Sequence, residues 1–249
     1  KTGAGTMTMN AANTHTGPTT VNAGTLHVGS TGSLTAGLPV HLAEGAEYKV
    51  TLSPANFGNV HSQLTSSAAD ALQLPAAIID GEEAALGSTV SMAWRVRTGP
   101  EVAGKQVFSD VLSLGTDLGT NEIPVYVLAM QYDDSLGDRV ALGWYDTEAS
   151  TWLLATAGNG GSNASDVQMG YQGSFAAFQN DYGTTLADYL GAYGVDPDQN
   201  VAWAVLNHAS DFAVMAPEPG SLLLLGSALF VLLGLTGRRR NRETWKPRG

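Results

Sequence analysis

The protein has 249 residues, 30 of them Gly, no Cys, and only 14% charged residues with a formal net charge of −11. The lack of Cys excludes disulfides, thiolate zinc sites, iron–sulfur clusters and cysteine nucleophiles. The charge is unevenly distributed: six of the 12 Lys and Arg follow Gly237, but only one of the 23 acidic residues does. Residues 1–237 therefore carry a formal net charge of −16 and the tail carries +5. Such an acidic body argues against a nucleic-acid partner, because phosphate binding needs clustered Lys and Arg.

The first thirty residues contain a repeat. The segment AGTMTM at 4–9 recurs as AGTLHV at 23–28, 19 residues later. Within each copy apolar and polar residues alternate, as in a half-buried strand, and Gly, Asn and Pro lie between the copies. A period near 20 residues predicts coils of a parallel β-helix. We therefore expect a β-solenoid segment over 1–52.

These residues also resemble the autotransporter-associated β-strand repeat. Met7 and Met9 stand where that family has Leu, and His15 replaces its aromatic residue. The resemblance implies a surface-exposed solenoid stalk without catalytic residues. It covers roughly residues 1–30.

Residues 53–88 are predicted to be a linker or irregular segment, with a short helix at 66–74. From Thr89 onward, strand-like runs alternate with turns, which predicts an antiparallel β-sandwich-like domain over 89–215 with a helical insertion around 185–193. Two hairpins are expected, turning near 146–150 and near 207–210. The predicted strands are Thr89–Arg97, Gln106–Leu114, Ile123–Gln131, Arg139–Tyr145, Thr151–Thr156, Val201–Leu206 and Asp211–Met215.

The C-terminal tail contains an apolar run. Residues 220–237 carry no charge, and as a helix they would extend about 27 Å, close to the hydrocarbon thickness of a bilayer. This predicts one C-terminal transmembrane helix. A basic cluster follows and orients the helix with its C-terminus in the cytoplasm and the body outside the inner membrane. The cluster consists of Arg238, Arg239, Arg240 and Arg242, within the basic tail 238–249.

A proline pair precedes the apolar run. Pro217, Glu218 and Pro219 form a stiff, extended segment because each proline fixes φ. The order Pro-Glu-Pro, apolar run, Arg cluster resembles the PEP-CTERM sorting signal of Gram-negative bacteria over residues 216–242. The resemblance implies processing by the membrane-embedded enzyme exosortase and delivery to the cell surface or the extracellular matrix.

The residues offer little catalytic chemistry. The five His residues lack metal-ligand spacing, and no nucleophile elbow, P-loop or dinucleotide fingerprint occurs. We expect His27 on a strand face and His208 in a surface turn. Asp196, Asp198 and Asn200 match the first three ligand positions of a calcium loop, but Val201 replaces its Gly, so this is a weak calcium candidate. No other metal, cofactor or catalytic residue is assigned.

Four tryptophans lie in predicted strands, at 94, 144, 152 and 203. Core packing is one interpretation, and an exposed platform for stacking sugars is the other.

The overall expectation is an all-β chain: a parallel β-helix, an antiparallel sandwich and one transmembrane helix. We expect an exported, non-enzymatic structural or adhesive surface protein. The alternative is a carbohydrate-binding module with surface glycans as partners, or the non-catalytic part of an envelope glycosidase whose catalytic domain precedes Lys1.

Overall fold

The computed structural model describes residues 1–34, 38–54, 56, 60–65, 74–98, 107–118, 123–137, 139–160, 170–183 and 185–216. Two eight-stranded sheets, sheet A and sheet B, dominate the compact unit Lys1–Ala216. Sheet A has the order β1 (Thr6–Met9), β3 (Thr25–Val28), β5 (Glu47–Thr51), β8 (Thr89–Arg95), β9 (Val111–Thr116), β16 (Asp211–Met215), β11 (Ala141–Asp146), β12 (Thr151–Leu154). Sheet B has the order β13 (Gly170–Gln172), β14 (Tyr193–Asp196), β15 (Val201–Leu206), β10 (Tyr126–Gln131), β7 (Ala76–Gly81), β6 (Val60–Leu64), β4 (Val40–Leu42), β2 (Thr19–Val21).

The first six strands form a parallel part. They alternate between the two sheets, so that β1, β3 and β5 pair in parallel in sheet A, and β2, β4 and β6 in sheet B. Thr6 lies opposite Thr25, which places the two sequence copies side by side in the register of the repeat. Leu26 and Val28 are buried and alternate with partly exposed neighbours, as the period of two requires.

The remaining strands form an antiparallel part, with β13–β14 as its parallel pair among the described residues. It joins the parallel part through β5–β8 in sheet A and β6–β7 in sheet B, both antiparallel. The predicted hairpin across 146–150 is confirmed, because β11 and β12 pair directly.

The second predicted hairpin is wrong. β15 belongs to sheet B and β16 to sheet A, so residues 207–210 carry the chain from one sheet to the other. Almost every residue of both strands is buried. Such strands are covered on both faces, whereas a hairpin with one wet face would alternate apolar and polar residues.

The chain is mostly β, as expected, but the predicted arrangement of its strands is wrong. Instead of a parallel β-helix followed by a separate antiparallel sandwich, two mixed sheets run through the unit, and strands from all three predicted segments (1–52, 53–88 and 89–215) share them. The predicted transmembrane helix at 220–237 lies outside the described residues. Among the residues that are described, no helix is long and apolar enough to cross a membrane.

Apolar side chains fill three layers. The largest cluster unites both parts of the sheets and includes Leu26, Met92 and Phe212. A second cluster covers the other face of sheet B, where helix α1 (Phe175–Tyr182) packs Phe178 near Trp203. We call this face the outer face of sheet B. The α1 helix ends before the predicted insertion at 185–193, where the chain forms a 3₁₀ turn, Leu186–Tyr189. A third, smaller cluster includes Val111, Trp152 and Met215.

Candidate functional site

A groove of about 500 Å³ lies on the outer face of sheet B beside α1. Its floor contains a row of residues from four neighbouring strands: His61 lies opposite Ala77, Ala77 opposite Ala129, and Ala129 opposite Trp203. The two alanines carry only methyl groups, and the larger His61 and Trp203 stand on either side of them. The groove exists because small side chains meet at the centre of this row.

One wall of the groove comes from α1. The Phe175 ring packs edge-on against Trp203, with ring centroids 5.2 Å apart. Further along the helix, Gln179 Nε2 donates a hydrogen bond of 2.7 Å to Asp80 Oδ2. Asp80 Oδ1 accepts from the backbone N–H of Gly81 at 2.8 Å, so the carboxylate is held firmly at the edge of the groove.

Amides line the groove as well. Gln131 Nε2 donates weakly to the backbone oxygen of Gln199, at 3.4 Å. The lining includes the carboxylates of Asp80 and Asp196, and no Lys or Arg stands among the lining residues of the described chain. The groove is therefore apolar at its floor, and rich in amide and carboxylate groups elsewhere.

A second cleft, of about 610 Å³, lies beside the 207–210 crossover. His208 is 3% exposed, so the prediction of a surface turn is wrong. Its Nε2 lies 2.9 Å from the Ala155 backbone oxygen, which assigns the proton to Nε2, and its Nδ1 lies 3.3 Å from Ser210 Oγ. Trp144 packs edge-on against the ring at 5.4 Å. Burial lowers the pKa of His208, so the ring is neutral near pH 7 and stabilises the crossover.

The calcium candidates lie in the tight turn between β14 and β15. Asp196 Oδ1 accepts from the backbone N–H groups of Asp198 at 3.1 Å and Gln199 at 3.2 Å. Asn200 has a φ of 53°, the left-handed conformation that ends such turns. In the part of the chain that the structure describes, no three His, Cys, Asp or Glu residues cluster as metal ligands. Calcium binding at this turn stays a prediction.

The tryptophans pack inside the protein. Trp94, Trp152 and Trp203 are buried and Trp144 is half-buried, so these four do not form the exposed platform considered from the sequence. Trp94 Nε1 donates to Ser62 Oγ at 2.9 Å, and Trp203 Nε1 to the Gly173 oxygen at 2.9 Å.

The sorting motif at 217–219 and the basic cluster at 238–242 lie outside the described residues. Both stay predictions.

Comparison with known proteins bears on the N-terminal strands. Residues 1–28 match the family model of the passenger-associated transport repeat. This segment contains β1, β2 and β3, the strands in which the two sequence copies pair. The match supports the predicted autotransporter-associated repeat and, with it, an exported, surface-associated protein. No curated protein and no solved structure matches the chain.

The groove residues carry no sequence signal. Asp80 and Gln179 lie 99 residues apart, and only the docking of α1 on sheet B joins them. Ala77 and Ala129 are ordinary strand alanines in the sequence, and their meeting depends on the β7–β10 register.

Proposed function

We propose that this protein is a structural or adhesive component of the cell envelope, exported and delivered to the surface by a C-terminal PEP-type signal that exosortase processes. The role is non-catalytic. The observation that carries the proposal is the match of residues 1–28 to a passenger-associated transport repeat.

The location of this repeat in the fold supports a structural role. Leu26 and Val28 are each 1% exposed and belong to the main core. The apolar side chains of the repeat therefore pack in the core between the two sheets, and the repeat is not a separate extension. Because the repeat shares its core with the rest of Lys1–Ala216, an exported location of the repeat implies an exported location of the whole unit.

The tail supports the route of delivery. Pro217, Glu218 and Pro219 precede 18 uncharged residues at 220–237, and an Arg cluster follows. Proline fixes φ and disfavours a helix in the residues before it, so the sequence predicts an extended Pro-Glu-Pro peptide, the form that a processing enzyme needs. Residues 1–237 contain only six Lys and Arg, few positive charges to oppose export.

The test is a localisation experiment in a Gram-negative host that has exosortase. The full chain is compared with a variant in which Pro217, Glu218 and Pro219 are all changed to Ala. The matched control is Pro197→Ala, a proline change in the exposed β14–β15 turn. Intact cells are treated with an external protease, and the loss of the body is followed by immunoblot.

The wild-type chain and the control should be digested on intact cells, and the triple variant should be protected. Equal digestion of all three chains would contradict a role of the Pro-Glu-Pro segment in sorting. Protection of all three would contradict surface delivery itself.

A further inference from the structure

We propose that the groove on the outer face of sheet B binds a neutral saccharide. This deepens the adhesive role proposed above by naming a ligand class and a site, and it can be tested on purified protein independently of sorting. The groove volume, about 500 Å³, lies within the range of roughly 300–1,000 Å³ typical of small-molecule sites.

The floor suits the C–H face of a sugar ring. The methyl groups of Ala77 and Ala129 lie side by side in register. The buried rings of Trp203 and Phe175 pack against each other beside them, so the base of the groove is apolar. A sugar ring combines such an apolar face with a rim of hydroxyl groups. The small floor residues leave space for this ring above the sheet.

The polar groups suit hydroxyls. Each hydroxyl both donates and accepts, and an amide offers both functions while a carboxylate accepts. Gln131, Gln179 and Gln199 supply amides, and Asp80 supplies a carboxylate already held by Gln179 and by the Gly81 N–H. Such a fixed acceptor gives directional hydrogen bonds with little loss of side-chain entropy.

The charge of the groove selects against anions. Asp80 and Asp196 both line it, and its described lining holds no Lys or Arg to balance them. An acidic glycan or a phosphate would be repelled by these carboxylates. A neutral saccharide avoids this repulsion.

An extended peptide is disfavoured by the sheet topology. β7 pairs with both β6 and β10, and β10 with both β7 and β15. The backbone under the groove therefore offers no free strand edge to which a peptide could add. A purely apolar ligand would displace water from the Asp80 carboxylate and the Gln131 amide without replacing the hydrogen bonds that this water makes, which is unfavourable.

The experiment uses the full chain in a detergent without a sugar headgroup, on an array of neutral and sialylated oligosaccharides. The best neutral hit is then titrated by calorimetry. Ala129→Leu fills the floor, and Ala149→Leu, in the exposed β11–β12 turn, is its control. Gln179→Ala removes a wall amide, and Asn180→Ala, exposed on the same helix, is the matched control.

We expect binding to a neutral oligosaccharide, weakened at least about tenfold by Ala129→Leu and several-fold by Gln179→Ala, with both controls unchanged. Thermal unfolding of each variant checks that the fold is intact, and Gln179→Ala decides the outcome if Ala129→Leu does not fold. The proposal is overturned if no neutral glycan binds, if only sialylated glycans bind, or if the folded groove variants bind like wild type.

Discussion

The parallel and antiparallel parts of the molecule build the same two sheets in different ways. In the parallel part, strands of 3 to 5 residues repeat at regular intervals and alternate between sheets. In the antiparallel part, β8 is 7 residues long, and β9 pairs with β16 about 100 residues further on. In the parallel part, the sequence repeat sets the register of neighbouring strands. In the antiparallel part, the register depends on burying apolar side chains from strands that lie far apart in sequence.

The junction shows how a repeat can end. The last parallel strands, β5 and β6, are not left as open edges, because β8 and β7 pair with them in antiparallel orientation. An uncovered edge with a hydrophobic interior invites association with other chains. The antiparallel part therefore closes one end of the parallel part and shares its core.

The strongest test of this shared core is Leu26→Ala in the parallel part. Leu26 is 1% exposed, and its truncation should cost about 2–5 kcal/mol of unfolding free energy. Tryptophan fluorescence in urea reports the antiparallel part, which contains Trp94, Trp144, Trp152 and Trp203, while Trp245 follows the unit Lys1–Ala216. A single, shifted transition is expected.

Met7→Ala is the matched control for this prediction. Met7 lies opposite Leu26 in register but is 49% exposed, so its loss should cost within about 0.5 kcal/mol. If Leu26→Ala left the tryptophan-detected midpoint unchanged, the two parts would unfold independently.

A smaller effect is expected from Ser62→Ala, which breaks a bond between the parts. Ser62 on β6 accepts from Trp94 Nε1 on β8 and donates to Met92 Sδ at 3.1 Å, so it joins the two sheets across the core. The variant leaves a buried indole N–H without its partner, at about 1–3 kcal/mol. Urea unfolding measures the loss, and Ser91→Ala on the other face of β8 should be near neutral.

Acidification should destabilise the crossover in the antiparallel part. The folded-state pKa of His208 is lowered by burial, so below its ordinary value near 6.5 the unfolded chain binds a proton that the folded chain does not. The free energy of unfolding therefore falls as the pH drops below about 6.5, by at most about 1.4 kcal/mol per pH unit. Unfolding measured from pH 7.5 to 5 should show this slope, and His208→Gln should reduce it. An equal slope in both proteins would contradict the role of His208.

The smallest and most local effect is expected at α1. Ser174 accepts from the Ala177 N–H at 3.1 Å as the N-cap, so Ser174→Ala should cost about 1 kcal/mol. Thr185, before the 3₁₀ turn, makes no capping bond with its side chain, and Thr185→Ala is the control. Equal losses in thermal unfolding would show that the cap does not stabilise α1.

Local patterns in the sequence predicted single elements of this fold but not the arrangement of its two sheets. The echo of residues 4–9 at 23–28 predicted that β1 and β3 stack, and the turn residues at 146–150 between two strand-like runs predicted the β11–β12 hairpin. Those signals are short-range and periodic. They could not reveal that β15 and β16 belong to opposite sheets, because continuous apolar strands look alike whichever sheet contains them.

The groove was beyond prediction for a related reason. Its two alanines and its Asp80–Gln179 bond come from segments far apart in sequence, and no spacing rule connects them. The buried His208 was also missed, since its sequence neighbours Asn207 and Ser210 are typical turn residues. Tertiary packing, rather than local propensity, decided both.

The most direct test of surface delivery is the C-terminal mass of the protein recovered from the envelope and the medium, with and without exosortase. We expect a chain that ends near Pro217–Pro219 when the enzyme is present and at Gly249 when it is absent. An intact Gly249 terminus under both conditions would contradict delivery by a processed C-terminal signal.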